Sequence, residues 1–193
     1  MKRVAAAAVI VLTACGGADT DEPVVQQPAG QDSAAVPAPA QGGDEISVSF
    51  IDGSGADAGT ARLTRSGNGV EIAVRVTGLT PGEHGFHVHE TGQCDAPAFE
   101  SAGGHYSPEN RQHGLQNPQG PHAGDLPSLI ANAEGVADTV FTVDRLTFGT
   151  DGQAPLFKPG GLALMVHADP DDNRTDPSGN AGDRVACGVI SPR

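Results

Sequence analysis

Beyond its first fourteen residues, the chain has no stretch that sustains a helical period, whereas short runs of alternating apolar and polar residues recur along it. That pattern restricts it to strands packed as a sandwich or closed as a barrel. Ile46-Ser47-Val48-Ser49-Phe50 and Val70-Glu71-Ile72-Ala73-Val74-Arg75-Val76 alternate as half-buried strands do. Between them Ala61 to Thr64 is a further candidate, with Ser66-Gly67-Asn68-Gly69 as a hairpin turn. Gly85 to His89, Leu129 to Ala133, Val136 to Val143, Leu162 to His167 and Arg184 to Ile190 bring the expected number to about eight. The 27 Gly and 15 Pro fall mainly between these runs, which predicts an all-β, antiparallel architecture. Two segments, Glu90 to Ser128 and Ala168 to Asp183, exceed ordinary connection lengths and are expected to be functional loops.

The N-terminal region reads differently. Lys2 and Arg3 precede an apolar run from Val4 to Leu12, the order of an export signal, and the run is too short to span a bilayer. Leu12-Thr13-Ala14-Cys15 resembles the lipobox of bacterial lipoproteins, which implies a signal peptide over residues 1–14, with Cys15 as the lipidated first residue of the mature chain. An ordinary signal peptide followed by a free thiol is the alternative. Gly16 after the cysteine favours, by analogy, the outer membrane in a host with two membranes. Residues 15–43 are rich in Ala, Pro, Gln and Gly without an aromatic group, so they cannot bury enough surface to offset their ordering entropy and read as a flexible tether. Residues 44–193 then form one domain of ordinary size. The localisation expected is the cell envelope, on the periplasmic face, with the membrane as a partner through Cys15.

The formal net charge is −13, and removing Lys2 and Arg3 leaves 9 basic against 24 acidic residues, or −15. Nucleic acid and anionic lipid surfaces are therefore excluded as expected partners. With Cys15 assigned to the anchor, Cys94 and Cys187 remain as an even pair in an exported chain, and a disulfide between them is the default expectation over two buried free thiols.

All 7 histidines lie between His84 and His167. His87-Val88-His89 places two rings on the same face of a predicted strand, so both can converge on one ion. His167 ends another apolar strand, from which it can face the same point across the barrel. His105, His113, His122 and Asp125 lie on the first long loop, and three nitrogens with one carboxylate suit a closed tetrahedral zinc set. Used through both ring nitrogens, His105 would join two metals. Nitrogen-rich sets of this kind suit copper and zinc, and metal binding would supply order that the loop lacks. His84 is left over and reads as a hydrogen-bonded structural residue.

Three segments then carry a specific resemblance: His84-Gly85-Phe86-His87-Val88-His89-Glu90, His122-Ala123-Gly124-Asp125-Leu126-Pro127, and Gly179-Asn180-Ala181-Gly182-Asp183-Arg184-Val185-Ala186-Cys187-Gly188-Val189-Ile190. In kind and order they resemble the signatures of the copper/zinc superoxide dismutases, over essentially all of Asp44 to Ile190. The resemblance implies a Greek-key, immunoglobulin-like β-sandwich or barrel. It implies copper ligands at His87, His89, His105 and His167, and zinc ligands at His105, His113, His122 and Asp125. His105 bridges, and no ligand position is missing. Asp171 aligns with a carboxylate that bonds ligands of both metals, with Asp172 as the nearby competitor. Cys94 and Cys187 match the family's disulfide, and Arg184 its active-site arginine, with a surface ion pair to Asp183 as the bland alternative.

The implied reaction is disproportionation of superoxide to dioxygen and hydrogen peroxide, with Arg184 guiding the anion and His105 holding a proton for the product. A chain this acidic repels superoxide at long range, so a local positive channel is required. Arg184 and the metals supply most of it, Arg174 in the second long loop is expected to help, and Asp183, immediately before Arg184, to weaken it. A metal-sequestering envelope lipoprotein without turnover shares every ligand and is the alternative. A structural envelope protein that uses zinc only for folding is a weaker third. The sequence leaves oligomeric state open, a homodimer included.

Overall fold

The computed structural model describes residues 43–191, so the expected signal peptide, Cys15 and tether lie outside the described residues, Gly43 apart. Nine strands follow in chain order: β1 Glu45–Asp52, β2 Asp57–Ser66, β3 Gly69–Val76, β4 Gly82–His84, β5 Phe86–His89, β6 Leu129–Ala131, β7 Ala137–Val143, β8 Leu162–His167 and β9 Arg184–Ile190. The only helical element among the described residues is one 3₁₀ turn, Glu100–Ala102.

Seven strands form an antiparallel sheet in the order β5-β8-β9-β1-β2-β3-β7. β4 and β6 pair as a separate ribbon. Because β4 runs through Gly85 into β5, and β6 turns into β7, this ribbon bridges the two edges of the large sheet. Phe86 of β5 meets Phe141 of β7 edge-on, with ring centroids 6.2 Å apart. The sheet is thus curled into a barrel of Greek-key connectivity, which leaves few edges open.

Alternation decides what lies inside. Ile46, Val48 and Phe50 of β1, and Val70, Ile72, Val74 and Val76 of β3, are all buried in the main core, while the residues between them are not. β8 is buried on both faces. Leu162, Leu164 and Val166 join the main core, and Ala163 and Met165 join a second, smaller cluster with Phe99, Ala102 and Cys187. A fully buried Leu, Phe or Met contributes about 1.5–3 kcal/mol. The second cluster therefore anchors the first turn of a long loop to the outside of the barrel.

The β2–β3 hairpin turns at Gly67-Asn68, and Gly67 adopts φ 59°, a conformation glycine takes at no steric cost. The two expected functional loops occupy residues 90–128 and 168–183 between the strands that were read from the pattern. Three details differ. The run expected from Gly85 begins at Phe86, and β4, which was not expected, precedes it; between the two lies Gly85, whose N–H donates to Asp169 O at 2.9 Å and whose carbonyl accepts His167 N–H at 2.9 Å. A Cβ there would stand 2.7 Å from the Ala181 methyl, so the backbone presses against the second loop and changes partner. The strand expected to reach Ala133 stops at Ala131, because Asn132 Oδ1 accepts the N–H groups of Glu134 and Val136 and forces a turn. A third long connection, residues 144–161, has no strand of its own.

Candidate metal centre

The barrel positions the histidines by its alternation. On β5, Phe86 and Val88 point into the main core, which turns His87 and His89 to the outer face. β8 is the neighbour of β5, with His87 opposite Met165 and His89 opposite Ala163. His167 therefore reaches the same point from the adjacent strand, not across the barrel. A register shift between Val166 and His167 sets His167 opposite Arg184 rather than Val185, which brings the start of β9 to the same place.

The first long loop folds back on this face. Isolated bridges join His87 to Asp125 and His89 to His105. Donor atoms of His87, His89, His105 and His167 all lie within 4.8 Å of one another. A second group gathers around Asp125 Oδ1, with His113 Nδ1 at 2.9 Å, His105 Nδ1 at 3.1 Å and His122 Nδ1 at 3.3 Å. By donor-atom proximity alone, His87 replaces His122 in this second group. Chemistry separates them, since His87 Nε2 is committed to Asp171 Oδ2 at 2.7 Å, whereas His122 Nδ1 is buried without a hydrogen bond.

Which nitrogen of each ring is free follows from its partner. His87 Nε2 bonds Asp171, His89 Nδ1 bonds Gly103 O at 2.9 Å, and His167 Nδ1 bonds Gly182 O at 3.1 Å. Each of these oxygens accepts a proton-bearing nitrogen, so the opposite nitrogen holds a lone pair. Those opposite atoms, His87 Nδ1, His89 Nε2 and His167 Nε2, together with His105 Nε2 and His122 Nδ1, are the buried side-chain atoms without any partner among the described residues. Leaving a buried polar atom unpaired costs about 1–3 kcal/mol each. Five such atoms, four of them converging on one point, are what a metal site offers, and the donor set could hold copper there and zinc beside Asp125. His105 faces both, Nε2 toward the first set and Nδ1 toward Asp125.

Two carboxylates hold the assembly. Asp125 Oδ2 accepts the main-chain N–H groups of Gly114 and His122 at 2.8 and 2.9 Å. Asp171 bonds His87 Nε2 through one oxygen and His113 Nε2 through the other, at 3.0 Å, and so links the two sets. Asp172 is exposed and instead caps the turn at Arg174 and Thr175. Burial raises the pKa of both Asp125 and Asp171, yet the bonds from the histidines outweigh it and hold both well below the ordinary carboxylate range. Burial lowers His87, pushes His89 well down, brings His105 to about 4 and His167 to about 3, all of which favours the neutral, metal-binding imidazole. On His113 burial acts the same way, but the carboxylates of Asp125 and Asp171 prevail and raise it to about 9.

Arg184 Nη1 and Nη2 donate to Phe99 O at 2.6 Å and Gly103 O at 2.7 Å. Gly103 O also accepts His89 Nδ1, so the guanidinium lies one carbonyl away from the first set. Asp183 forms no ion pair with it within 4 Å. Both residues line an open cavity of about 480 Å³ with Pro97, Ala98, Glu100 and Gly182. Arg174 is turned to Gln116 Oε1 instead. Cys94 and Cys187 form a disulfide across a sequence separation of 93, tying the first long loop to β9. His84 is buried outside both sets, with its ring nitrogens at His167 O and Thr80 O, 2.7 and 2.8 Å away. Sequence reasoning did not find Arg145, whose Nη2 donates to Asp125 O from the third connection. No local motif marks it.

A Greek-key barrel with two adjacent groups of side chains that could each hold a metal ion, one of them all-imidazole and both including His105, has the layout of a metalloprotein suited to redox chemistry. The family model described as "Copper/zinc superoxide dismutase (SODC)" matches residues 57–190. The chain is 44% identical over 142 residues to Superoxide dismutase [Cu-Zn] 2 of Aquifex aeolicus, covering 73% of this chain and 83% of that protein. It is 43% identical to the Superoxide dismutase [Cu-Zn] of Caulobacter vibrioides over 140 residues, covering 72% and 80% respectively. Among solved structures, the Cu/Zn superoxide dismutase from Brucella abortus aligns with TM-score 0.62 at 34% identity, over 76% of this chain and 99% of that one. The chain belongs to the copper/zinc superoxide dismutase family. Its activity is the disproportionation of superoxide, and its cofactors are copper and zinc.

Proposed function

We propose the following division of the site. His87, His89, His105 and His167 would hold copper, and His105, His113, His122 and Asp125 would hold zinc. What carries this reading is the set of five buried, unpartnered ring nitrogens, each fixed by the bond its ring makes on the other side where there is one. When bound, copper supplies the one-electron exchange by which two superoxide anions and two protons become dioxygen and hydrogen peroxide, and zinc supplies a fixed positive charge.

The protein's own groups do the rest. Arg184 spends two of its N–H donors on Phe99 O and Gly103 O, which fixes the guanidinium plane and leaves other donors for a small anion in the adjoining cavity. His105 presents Nε2 at the copper set while Asp125 orients its Nδ1, so Nε2 is the atom at which a proton is held for the product. Asp171 keeps His87 and His113 in register with each other.

We infer further, from Lys2 and Arg3 before the apolar run and from Leu12-Thr13-Ala14-Cys15, that the chain is an exported lipoprotein: a signal peptide over residues 1–14, a lipid on Cys15, a tether over 15–43 and the catalytic domain over 44–193. That arrangement holds the enzyme at the periplasmic face of the envelope, on the outer membrane in a host with two. The test is superoxide disproportionation by the purified protein after copper and zinc reconstitution, with metal content determined on the same sample. Fast copper-dependent turnover at one copper and one zinc per chain is expected. Full occupancy without turnover would favour sequestration. Arg184→Ile is expected to lower the rate about tenfold or more with both metals retained, on the scale of steering effects. An unchanged rate at low and moderate salt rejects the role of Arg184.

A further inference from the structure

Asp171 is not the only carboxylate that the second long loop lends to the histidines. Asp176 Oδ1 accepts the main-chain N–H of His113 at 2.7 Å. The same oxygen stands 3.9 Å from His122 Nε2. With zinc on His122 Nδ1, as assigned above, the ring carries its proton on Nε2, the atom on the side of Asp176. The Asp176 segment is itself held in place. Asp172 Oδ1 accepts the N–H groups of Arg174 and Thr175, Gly179 N–H bonds Thr175 O, and Gln116 N–H bonds Asn173 O across the two loops.

We propose that Asp176 is a positioning residue for zinc: it fixes His113 through the main chain and sets a negative charge 3.9 Å from the outer ring nitrogen of His122, beyond direct hydrogen-bond reach, independently of Asp171. This rests on the zinc assignment made above. A ligating imidazole whose second N–H faces a carboxylate is held in orientation and made more basic, and losing that partner costs roughly 10–100-fold in metal affinity. The two loop carboxylates then have different reach. Asp171 bonds His87 and His113 and so serves both metals. Asp176 touches only residues of the zinc set, so its removal disturbs zinc and spares copper.

The experiment compares Asp176→Ala, Asp176→Asn and Asp125→Ala in the full protein. Zinc affinity is read by competition with a chromophoric chelator, zinc-site geometry by the visible spectrum of Co(II) bound there, and copper affinity separately. Asp176→Ala is expected to lower zinc affinity roughly tenfold or more and to change the Co(II) spectrum, with copper affinity within about twofold. Asp176→Asn keeps an oxygen for His113 N–H but removes the charge facing His122, so a smaller loss, roughly threefold to tenfold, is expected; it also decides the matter if the alanine variant does not fold. Unchanged zinc affinity and Co(II) spectrum in the Asp176 variants, with Asp125→Ala still crippling zinc, overturns the proposal, even if the metal-free melting temperature falls. If Asp125→Ala also leaves zinc binding intact, the zinc set itself is misassigned and the proposal falls with it.

Discussion

Replacing Gly179 with alanine drives a methyl group into the hydrogen bonds that couple the two halves of the metal centre. Gly179 has φ 63°, and a Cβ placed on it would lie 1.9 Å from Asp171 Oδ1 and 2.6 Å from His113 Nε2. Those two atoms are bonded to each other at 3.0 Å. Ordinary contact for a carbon on oxygen is above 3 Å, so the carboxylate has to move by more than 1 Å, and the bond to His113 is lost. Its companion bonds, to His87 Nε2 at 2.7 Å and Asn173 N at 2.6 Å, are strained with it. The left-handed backbone costs alanine about 1 kcal/mol. A buried, charge-assisted hydrogen bond is worth about 1.5–3 kcal/mol, and the Asp171 side chain is only 2% exposed, so little of that is screened. The expected loss is roughly 2.5–4 kcal/mol, or a fall of about 10 °C in the metal-free melting temperature for a domain of this size. Calorimetric melting of metal-free and loaded protein, with metal content before and after, measures it. Both copper and zinc retention should weaken, because Asp171 serves both sets. A metal-free loss below about 1 kcal/mol together with native metal retention refutes the reasoning.

Removing the disulfide by the double change Cys94→Ser and Cys187→Ser opens a loop with a sequence separation of 93, for which chain entropy predicts a loss of roughly 4–5 kcal/mol; a chemical-denaturation shift below about 1 kcal/mol would contradict it. Asp125→Ala should reduce zinc occupancy and thermal stability more than copper binding, and equal loss of both metals in elemental analysis counts against the partition of ligands. In the metal-free protein His113 is raised to about 9 by its two carboxylates, so its stabilisation is complete below the ordinary histidine value near 6.5 and is lost as pH rises through about 9. Zinc requires the neutral ring, so binding at pH 7.5 should expel about one proton from this residue; calorimetric titration in buffers of different ionisation heat measures it, and zero net release rules it out.

The strands were legible because period-two alternation is a local property: Ile46, Val48 and Phe50, or Val70 through Val76, show their buried face without reference to any partner. The long loops were legible by default, as spans where neither period holds. What escaped was set by distant contacts. Nothing near Gly85 announces that Ala181 lies against it, and so the break between β4 and β5 is invisible until the second loop is in place. The 144–161 connection was implicit in the expected ends at Val143 and Leu162, although only the other two loops were singled out; what escaped there was Arg145, since the oxygen it serves belongs to Asp125 on another loop.

The candidate site divides along the same line. Residue types and spacing single out the histidines and Asp125 as candidate ligands, because ligand chemistry restricts which side chains serve. They say nothing of which ring nitrogen is free, and that choice is what makes two metal sets out of one cluster. His89 is committed by Gly103 O and His167 by Gly182 O, both main-chain groups that any residue could have supplied. His87 is committed by Asp171 from a separate loop. The loops therefore do more than carry ligands. Their carbonyls and carboxylates assign a proton to one side of the His87, His89 and His167 rings, and only in the folded loop do equivalent histidines acquire the distinct roles that the proposed division between copper and zinc would require.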